Sequence, residues 1–454
     1  MNTHPGRADE DADDLDVEEA LALVNDNRRT ATPQSPGTSP GAGHGDARHR
    51  HAADWSDART AAELAGRRTA RRGPVQVPVA EALGLTLAAP LTALTDLPSF
   101  DTSAMDGWAV SGPGPWDVRE KGVLAGHTAH APLTDGEAVR IATGARIPPD
   151  TTAVLRTEHG RLDDKGRLHV AASQAQNTVS HGQDIRPRGQ ECRDGDHLLP
   201  AGTVVTPAVI GLAAAAGYDT LATVPRPRAD VFVLGDELLS EGLPHEGLIR
   251  DALGPMLPSW LRALGAEVTG IRRVPDDEDA LHEAITASGA EVVVTTGGTA
   301  SGPVDHVHPT LRRIGAELLV DGVRVRPGHP MLLARIKEDQ HLVGLPGNPL
   351  AAVSGLLTLA EPLLRTLAAR PAPEPYALPL RDGVQGHPDH TRLIPVALRD
   401  DHAMPLLYNG PAMLRGIAAA DALAVVPPGG ARPGQEAAML DLPWAAGGIG
   451  VCFT

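Results

Sequence analysis

The chain has 454 residues, 42% hydrophobic and only 2% aromatic, with a formal net charge of −17. That length implies about two to four domains, with cores resting on Ala, Leu and Val, and the charge argues against wholesale binding to nucleic acid or anionic membranes, both polyanions. Two cysteines, Cys192 and Cys452, make neither a disulfide framework nor a Cys-rich metal site. No apolar run approaches the ~20 residues of a spanning helix, and the N-terminus lacks a secretory signal pattern, so the cytoplasm is the expected compartment.

Residues 1–52 read as a disordered tail. An acidic run from Asp9 to Glu19 precedes a stretch rich in Pro, Gly, Ser and His, with little apolar surface to offset ordering entropy. His44, His49 and His51 there read as a solvated linker. Ordered structure is expected from Trp55: a helix, an extended VQVPV, then a second helix ending at Leu85. Residues 97–191 hold short extended pieces broken by Gly and Pro, the pattern of a compact β-rich domain. PAGTVVTPAVIGLAAAAG (200–217) returns to strand and helix. The 97–191 block therefore reads as an insertion within an α+β domain made of 53–96 and 192–223.

Between 224 and 370 strand and helix alternate. ADVFVL is a strand, and a helix near 251–265 follows, its start delayed by Pro255 and Pro258. AEVTGIRRV is a strand, DDEDALHEAITASG a helix with acids at its positive end, and EVVVTT a buried strand. Such alternation predicts a parallel α/β sheet. From 371 to 454, short strands such as TRLIPVAL and ALAVVP predict a small β-barrel.

Ligands of open α/β sheets bind beyond the carboxyl ends of the strands. Three strand exits carry unusual residues: Gly235-Asp236-Glu237, Gly297-Gly298, and Pro346-Gly347-Asn348-Pro349. Paired glycines bring backbone N–H groups close to an anionic ligand, although Gly-Gly after a strand also reads as a tight turn. Asp236, Glu237 and Asp305 supply oxygens suited to Mg²⁺; Asp305 also reads as a cap on a helix 306–314. Asn348-Pro349 reads as a helix start, with Asn capping and Pro at the first position. In the β-rich block, FDTSAMDGWAV (100–110) sets Asp101 and Asp106 among small residues, and RIATGARIPP (140–149) reads as strand, Thr-Gly turn and Pro-rich exit.

Taken together, LPSFDTSAMDGWAV (97–110), RIATGARIPP with AVLRTE (140–158), GQDIRPRGQE (182–191), PAGT (200–203), GDEL (235–238), TTGG with VDH (295–306), RPGHP (326–330) and GLPGNPLAA (344–352) resemble the molybdopterin molybdenumtransferase family, the MoeA and gephyrin E-domain type. They follow the family's order and spacing over residues 55–454. The resemblance implies a multidomain α/β protein: a MogA-like doubly wound α/β domain (224–370), an inserted β-rich domain (97–191), an elongated α+β domain and a C-terminal β-barrel domain (371–454). It implies Mg²⁺-dependent hydrolysis of adenylylated molybdopterin, with molybdate as co-substrate placed on the dithiolene. It also implies a homodimer, with the site between the α/β domain of one subunit and the inserted domain of the other.

The resemblance assigns Asp106, Thr143, Asp236, Asp276 and Arg326 to catalysis. It assigns Glu191, Asp251, Gly297, Gly298, Ser301 and His329 to substrate binding, and Glu237 and Asp305 to Mg²⁺. Arg326 and His329 stand where the family has lysines, near the incoming oxyanion. Departures are present: Val233-Leu234 replaces Ser-Thr, Leu253 an Asn, Thr102 an Asn, and Ala300 a serine, with Ser301 one place late. Glu191 replaces an Asp, and Gly322 a lysine whose charge Arg324 is positioned to supply, although Arg and Lys are not equivalent. The second reading is therefore a non-catalytic or altered paralogue that binds pterin or nucleotide, or acts as a scaffold. A molybdopterin adenylyltransferase is a further partner compatible with the resemblance.

Overall fold

The computed structural model describes residues 52–126, 131–171, 179–300 and 305–444. The expectations placed on residues 1–51, Ser301 and Cys452 lie outside them.

The first helix, Trp55–Arg68, buries a face of small residues, Ala58, Ala62, Ala65 and Gly66, and so packs tightly on the helix Pro349–Leu367. A Cβ on Gly66 would stand 1.9 Å from Thr366 Oγ1 and 2.8 Å from the Leu363 carbonyl, so the contact requires glycine. Trp55 Nε1 donates to Thr358 Oγ1 across it (3.1 Å). The strand Val75–Pro78 then pairs with Thr220–Val224. The second helix expected before Leu85 is only a single 3₁₀ turn, Val79–Glu81. The chain instead turns through Gly84 (φ 71°) into the short strand Thr86–Leu87, because the apolar side chains here fill a small core with Val205, Val209 and Leu221.

Residues between these segments build a six-stranded sheet in the order Ala153–Arg156, Gly107–Val110, Glu137–Ile141, Trp116–Val123, Arg167–Val170, Gly160–Leu162. Its two faces have separate cores, one around Trp108, Trp116 and Leu155, the other around Val123, Leu133 and Ile141.

A second six-stranded sheet has the order Glu267–Val274, Arg228–Leu234, Val292–Thr296, Gln340–Leu345, Leu332–Lys337, Glu317–Asp321. The first four strands are parallel. The chain leaves Arg228–Leu234 to one side and returns on the other, so a topological switch point lies between that strand and Val292–Thr296, where doubly wound sheets bind ligands. The helix Leu253–Ala263 starts earlier than its prolines suggested. Pro255 falls in the first turn, where an N–H has no intrahelical partner anyway, and the free Gly254 N–H goes to Asp251 Oδ1 (2.9 Å). Asn348 sits at the N-cap of the next long helix with Pro349 behind it, but its side chain makes no capping bond. That helix, Pro349–Leu367, is long and apolar enough to cross a membrane, yet is 94% buried within the fold. A π-helical turn at Leu356–Ala360 accommodates Pro362, which has no N–H to donate.

The C-terminal strands form a barrel. Thr391–Arg399 pairs with His402–Pro405 and Ala422–Val426, which pairs with Glu436–Asp441, which pairs with Ala377–Pro379. A bridge from Leu380 to Ala403 closes the ring.

Candidate active site

In the inserted sheet the register opposes Gly107 to Ile141, so residues 106 and 143 leave the sheet at one edge. Asp106 Oδ1 accepts the Thr143 N–H (2.7 Å) and the Thr143 hydroxyl (3.0 Å). Those two bonds, the backbone one first, hold the Asp106 carboxyl below the usual carboxylate range although it is exposed. Gly107 has no substitute: a Cβ would lie 2.0 Å from the Leu155 carbonyl. The loops are laced by Gly144 N to Ser103 O (2.8 Å) and Ser103 N to Ala145 O (3.0 Å). Arg156 and Asp184 brace them from behind with a two-point ion pair, both bonds 2.9 Å. Sequence reasoning did not single out this pair, although the arginine of AVLRTE and the acid of GQDIRPRG were the available signal.

At the switch point, Gly235 (φ 126°) starts the GDEL loop with the Glu237 carboxylate folded back over it, 2.8 Å from where a Cβ would be. The Asp236 N–H donates to Asp276 Oδ2 (3.2 Å), bringing in the end of the neighbouring strand. Arg273, also unforeseen, donates to the Leu238 and Gly235 carbonyls and fixes the loop's shape. The short pairing of Leu238–Leu239 with Ile249–Arg250 ties Asp251 to the same loop, with one carboxylate oxygen committed to the helix start at Gly254.

Gly297 and Gly298 both take positive φ (78° and 65°). Gly297 N donates to the Leu345 carbonyl (2.8 Å), and Val307 N to the Gly298 carbonyl (3.3 Å). A Cβ on Gly298 would touch Leu234 (3.1 Å) and Val307 (3.3 Å), so the segments carrying Glu237 and Asp305 meet there. The helix Val307–Ile314 begins after His306, and its N-cap makes no side-chain bond. Asp305 therefore lies one residue before that cap position. Val233 and Leu234 are 2% and 7% exposed, so the positions of the family's Ser-Thr are filled by core.

Arg326 lies on the short strand Val325–Arg326, which pairs with Thr391–Arg392 of the barrel. His329 Nδ1 donates to the Val323 carbonyl (2.8 Å). The barrel adds two residues that sequence reasoning missed, His387 and His390, from HPDH (387–390). Their Nδ1 atoms are 2.9 Å apart, and the His390 ring centroid is 5.5 Å from that of His329. Burial first, then His387, Arg326 and His329, bring His390 down to about 4. Gly322 takes φ 76°, a conformation in which a lysine would be strained. Arg324 does not supply that missing charge at the site: its guanidinium pairs with Asp54 (2.7 Å).

The structure thus gathers Asp106 with Thr143; Asp236, Glu237, Asp251, Asp276, Gly297, Gly298 and Asp305 around the switch point; and Arg326 with His329. Glu191 stands apart, its backbone N–H on the Leu97 carbonyl (2.8 Å). No hydrogen bond or ion pair among the described residues links Asp106 or Thr143 to the switch-point group.

A doubly wound sheet with glycine and acid loops at its switch point defines an α/β ligand-binding domain, here carrying an inserted sheet and a C-terminal barrel. Comparison with known families bears this out: residues 53–217 match the MoeA N-terminal region (domains I and II), 230–366 a probable molybdopterin binding domain, and 377–442 the MoeA C-terminal region (domain IV). Molybdopterin molybdenumtransferase 2 of Mycobacterium tuberculosis is 32% identical over 376 residues, 78% of this chain and 91% of that one. Molybdopterin molybdenumtransferase of Synechococcus elongatus is 32% identical over 329 residues, 68% and 79%. A molybdopterin biosynthesis MoeA protein of Pyrococcus horikoshii OT3 shares the fold (TM-score 0.68, 21% identity, 86% of this chain and 100% of that one). The chain belongs to the molybdopterin molybdenumtransferase family.

Proposed function

We propose that this chain acts in molybdenum cofactor biosynthesis in the cytoplasm, releasing AMP from adenylylated molybdopterin with Mg²⁺ and placing molybdate on the dithiolene. The observation that carries this reading is the convergence of GDEL, Asp276, Gly-Gly and Asp305 at the switch point of a family member's α/β sheet. The division into an α+β domain (53–96 and 192–223), inserted domain (97–191), α/β domain (224–370) and barrel (371–454) belongs to the same reading.

The donor set fits Mg²⁺ as a shared rather than a protein-built site. Among the described residues no group of three or more metal-ligating side chains forms, while Glu237 and Asp305 offer hard oxygens on adjoining loops, as Mg²⁺ held partly by substrate phosphate requires. When bound, the ion neutralises charge on the phosphate oxygens. The chain's own residues do the rest. The backbone N–H of Gly298 approaches the anionic ligand, while that of Gly297 holds the turn against the Leu345 carbonyl. Asp276, through the Asp236 N–H, sets the loop that presents Glu237. Asp251 holds the start of its helix beside that loop. Arg326 and His329 provide cationic and hydrogen-bonding character for molybdate. Asp106, fixed by Thr143, supplies a carboxylate from the inserted sheet. Because that pair is not bonded to the switch-point group within one chain, the reading has a homodimer complete the site across subunits. Glu191 and Ser301 stay in it as substrate contacts, and a molybdopterin adenylyltransferase as donor of the adenylylated substrate.

The apolar Val233-Leu234 pair, together with Gly322, favours the second reading, a pterin- or nucleotide-binding paralogue. One experiment separates the two: AMP release from adenylylated molybdopterin with and without molybdate and Mg²⁺. The enzyme reading expects release that requires both. Binding of the nucleotide without release supports the paralogue.

A further inference from the structure

Away from the switch point, a cavity of about 430 Å³ opens where the ends of two helices meet the α+β domain, within the ~300–1,000 Å³ range of small-molecule sites. Four arginines line it, Arg67, Arg71, Arg365 and Arg370, and none of the lining residues is an acid. In a chain of net charge −17, that is a local reversal of sign.

The arginines are not equally committed. Glu63 pairs with Arg67, and Glu361 (2.9 Å) and Glu63 (3.4 Å) hold Arg365. Arg71 has no hydrogen bond or ion pair among the described residues. Arg370 donates from Nη2 to the Gly84 carbonyl (2.7 Å) and has no carboxylate partner among them. Its guanidinium is clamped in place, since a Cβ on Gly265 would stand 2.7 Å from its Cζ. Burial, helped by the Arg226 guanidinium beside it, brings Arg370 down to about 10, so it stays charged at neutral pH with no counter-charge.

The plain explanation is that basic residues here satisfy two helix C-termini, Trp55–Arg68 and Glu361–Leu367. Each such terminus carries about half a negative charge. Of the four lining guanidinium groups, Arg67 and Arg365 are matched by the carboxylates Glu63 and Glu361, which leaves Arg71 and Arg370 against about one negative charge from the two termini together. Planar guanidinium forks recognise tetrahedral oxyanions in particular.

We infer that this cavity is a second anion site, for a compact phosphate-bearing molecule, built on Arg71 and Arg370 and separate from the switch-point site. Whether a free phosphate compound or the phosphate end of a larger metabolite occupies it, the recognition chemistry is the same.

The test is calorimetric titration of inorganic pyrophosphate, and of AMP in parallel, into the full chain without divalent metal. Pyrophosphate binding that weakens with added salt is expected in the wild type. Arg71→Gln should weaken it about tenfold and Arg71→Glu should abolish it, as loss of a charge-assisted bond requires. Arg71 is exposed, so these variants fold even where Arg370→Gln does not. Asp305→Asn should bind pyrophosphate as the wild type does, because it changes only the switch point; the outcome is thus independent of whether AMP release occurs. Tighter AMP binding than pyrophosphate, lost with Arg71→Glu, would mark a nucleotide-type occupant of the same pocket. Absence of wild-type binding, equal binding by the Arg71 variants, or dissociation of a dimer by Arg71→Glu with no pyrophosphate binding would each overturn the inference.

Discussion

The inserted sheet and the α/β domain hold their acids in opposite ways. In the inserted sheet Asp106 is locked before any ligand arrives, by two bonds from Thr143 and a glycine that admits no side chain. At the switch point Glu237 folds over its own loop, Asp251 is committed to a helix start, and one 3.2 Å bond links Asp236 to Asp276. The first region is organised by its fold; the second has geometry left for a ligand to complete. Preorganised groups act without rearrangement during reaction, whereas the second kind ties its order to what binds.

The sharpest way to break this contrast is Asp106→Ala. If the locked carboxylate contacts the reacting groups, AMP release should fall by roughly 10²–10³-fold in steady-state assays, far more than the small drop in melting temperature expected from losing two hydrogen bonds at an exposed residue. Wild-type rates would remove it from the site. Mixing Asp106→Ala with a switch-point variant such as Glu237→Gln should restore part of the activity if the two regions meet across subunits, and none if they do not.

Next in size, Asp305→Asn should raise the Mg²⁺ concentration needed for half-maximal AMP release by about tenfold, with little change in folding, since Asp305 lies on a loop ahead of the helix Val307–Ile314 and not in a core. Unchanged Mg²⁺ dependence would end the metal assignment. Smaller again, Thr143→Val removes the hydroxyl bond but keeps the N–H bond. The Asp106 carboxyl should then titrate higher, because one of the two bonds favouring its charged form is gone. The acidic limb of the pH–rate profile should move to higher pH, with a loss of about tenfold or less near neutrality.

The smallest effect distinguishes the two regions by acid. His341, 1% exposed in the α/β sheet, is brought by burial to about 4 from an ordinary 6.5. Between those values the unfolded state binds more protons than the native one, so stability falls as pH drops from 6.5 towards 4. His390 adds to the same window. In the inserted sheet, Arg119 first and then Thr134 hold Glu137 down to about 2. Its contribution persists until pH falls below 4.5 and is lost towards 2. Hydrogen exchange at pH 5 should therefore show the α/β sheet loosening before the inserted one, and His341→Leu should lessen that difference. Uniform loosening in both proteins would contradict it.

Much of this was legible in the sequence. Alternating strand and helix text gave the α/β sheet, and glycines next to acids at strand exits marked the switch point, because those signals are local. The failures were tertiary. The helix expected before Leu85 lost to a core that needed a turn there. Pro255 and Pro258 did not delay their helix, because the Asp251 carboxylate receives the Gly254 N–H. The cap position expected of Asp305 falls to His306, and the Asn348 side chain makes no capping bond. His387 and His390 join His329 only through barrel closure more than fifty residues along the chain, and Arg324 meets Asp54 only because Ala53 pairs beside Val323. No spacing rule carries that information.

The two-residue strand Val325–Arg326 is hydrogen-bonded not into its own domain's sheet but alongside Thr391–Arg392 of the barrel. Arg326 is therefore placed by one folding unit while belonging in sequence to another. Fraying of the barrel, whether by heat, truncation or the grip of a partner on its outer face, would shift this cation and leave the glycine and acid loops where they are. If Arg326 meets the oxyanion as proposed, affinity for it would then change without any alteration at the glycine and acid loops, and a remote surface would hold a separate handle on one of the two proposed substrates.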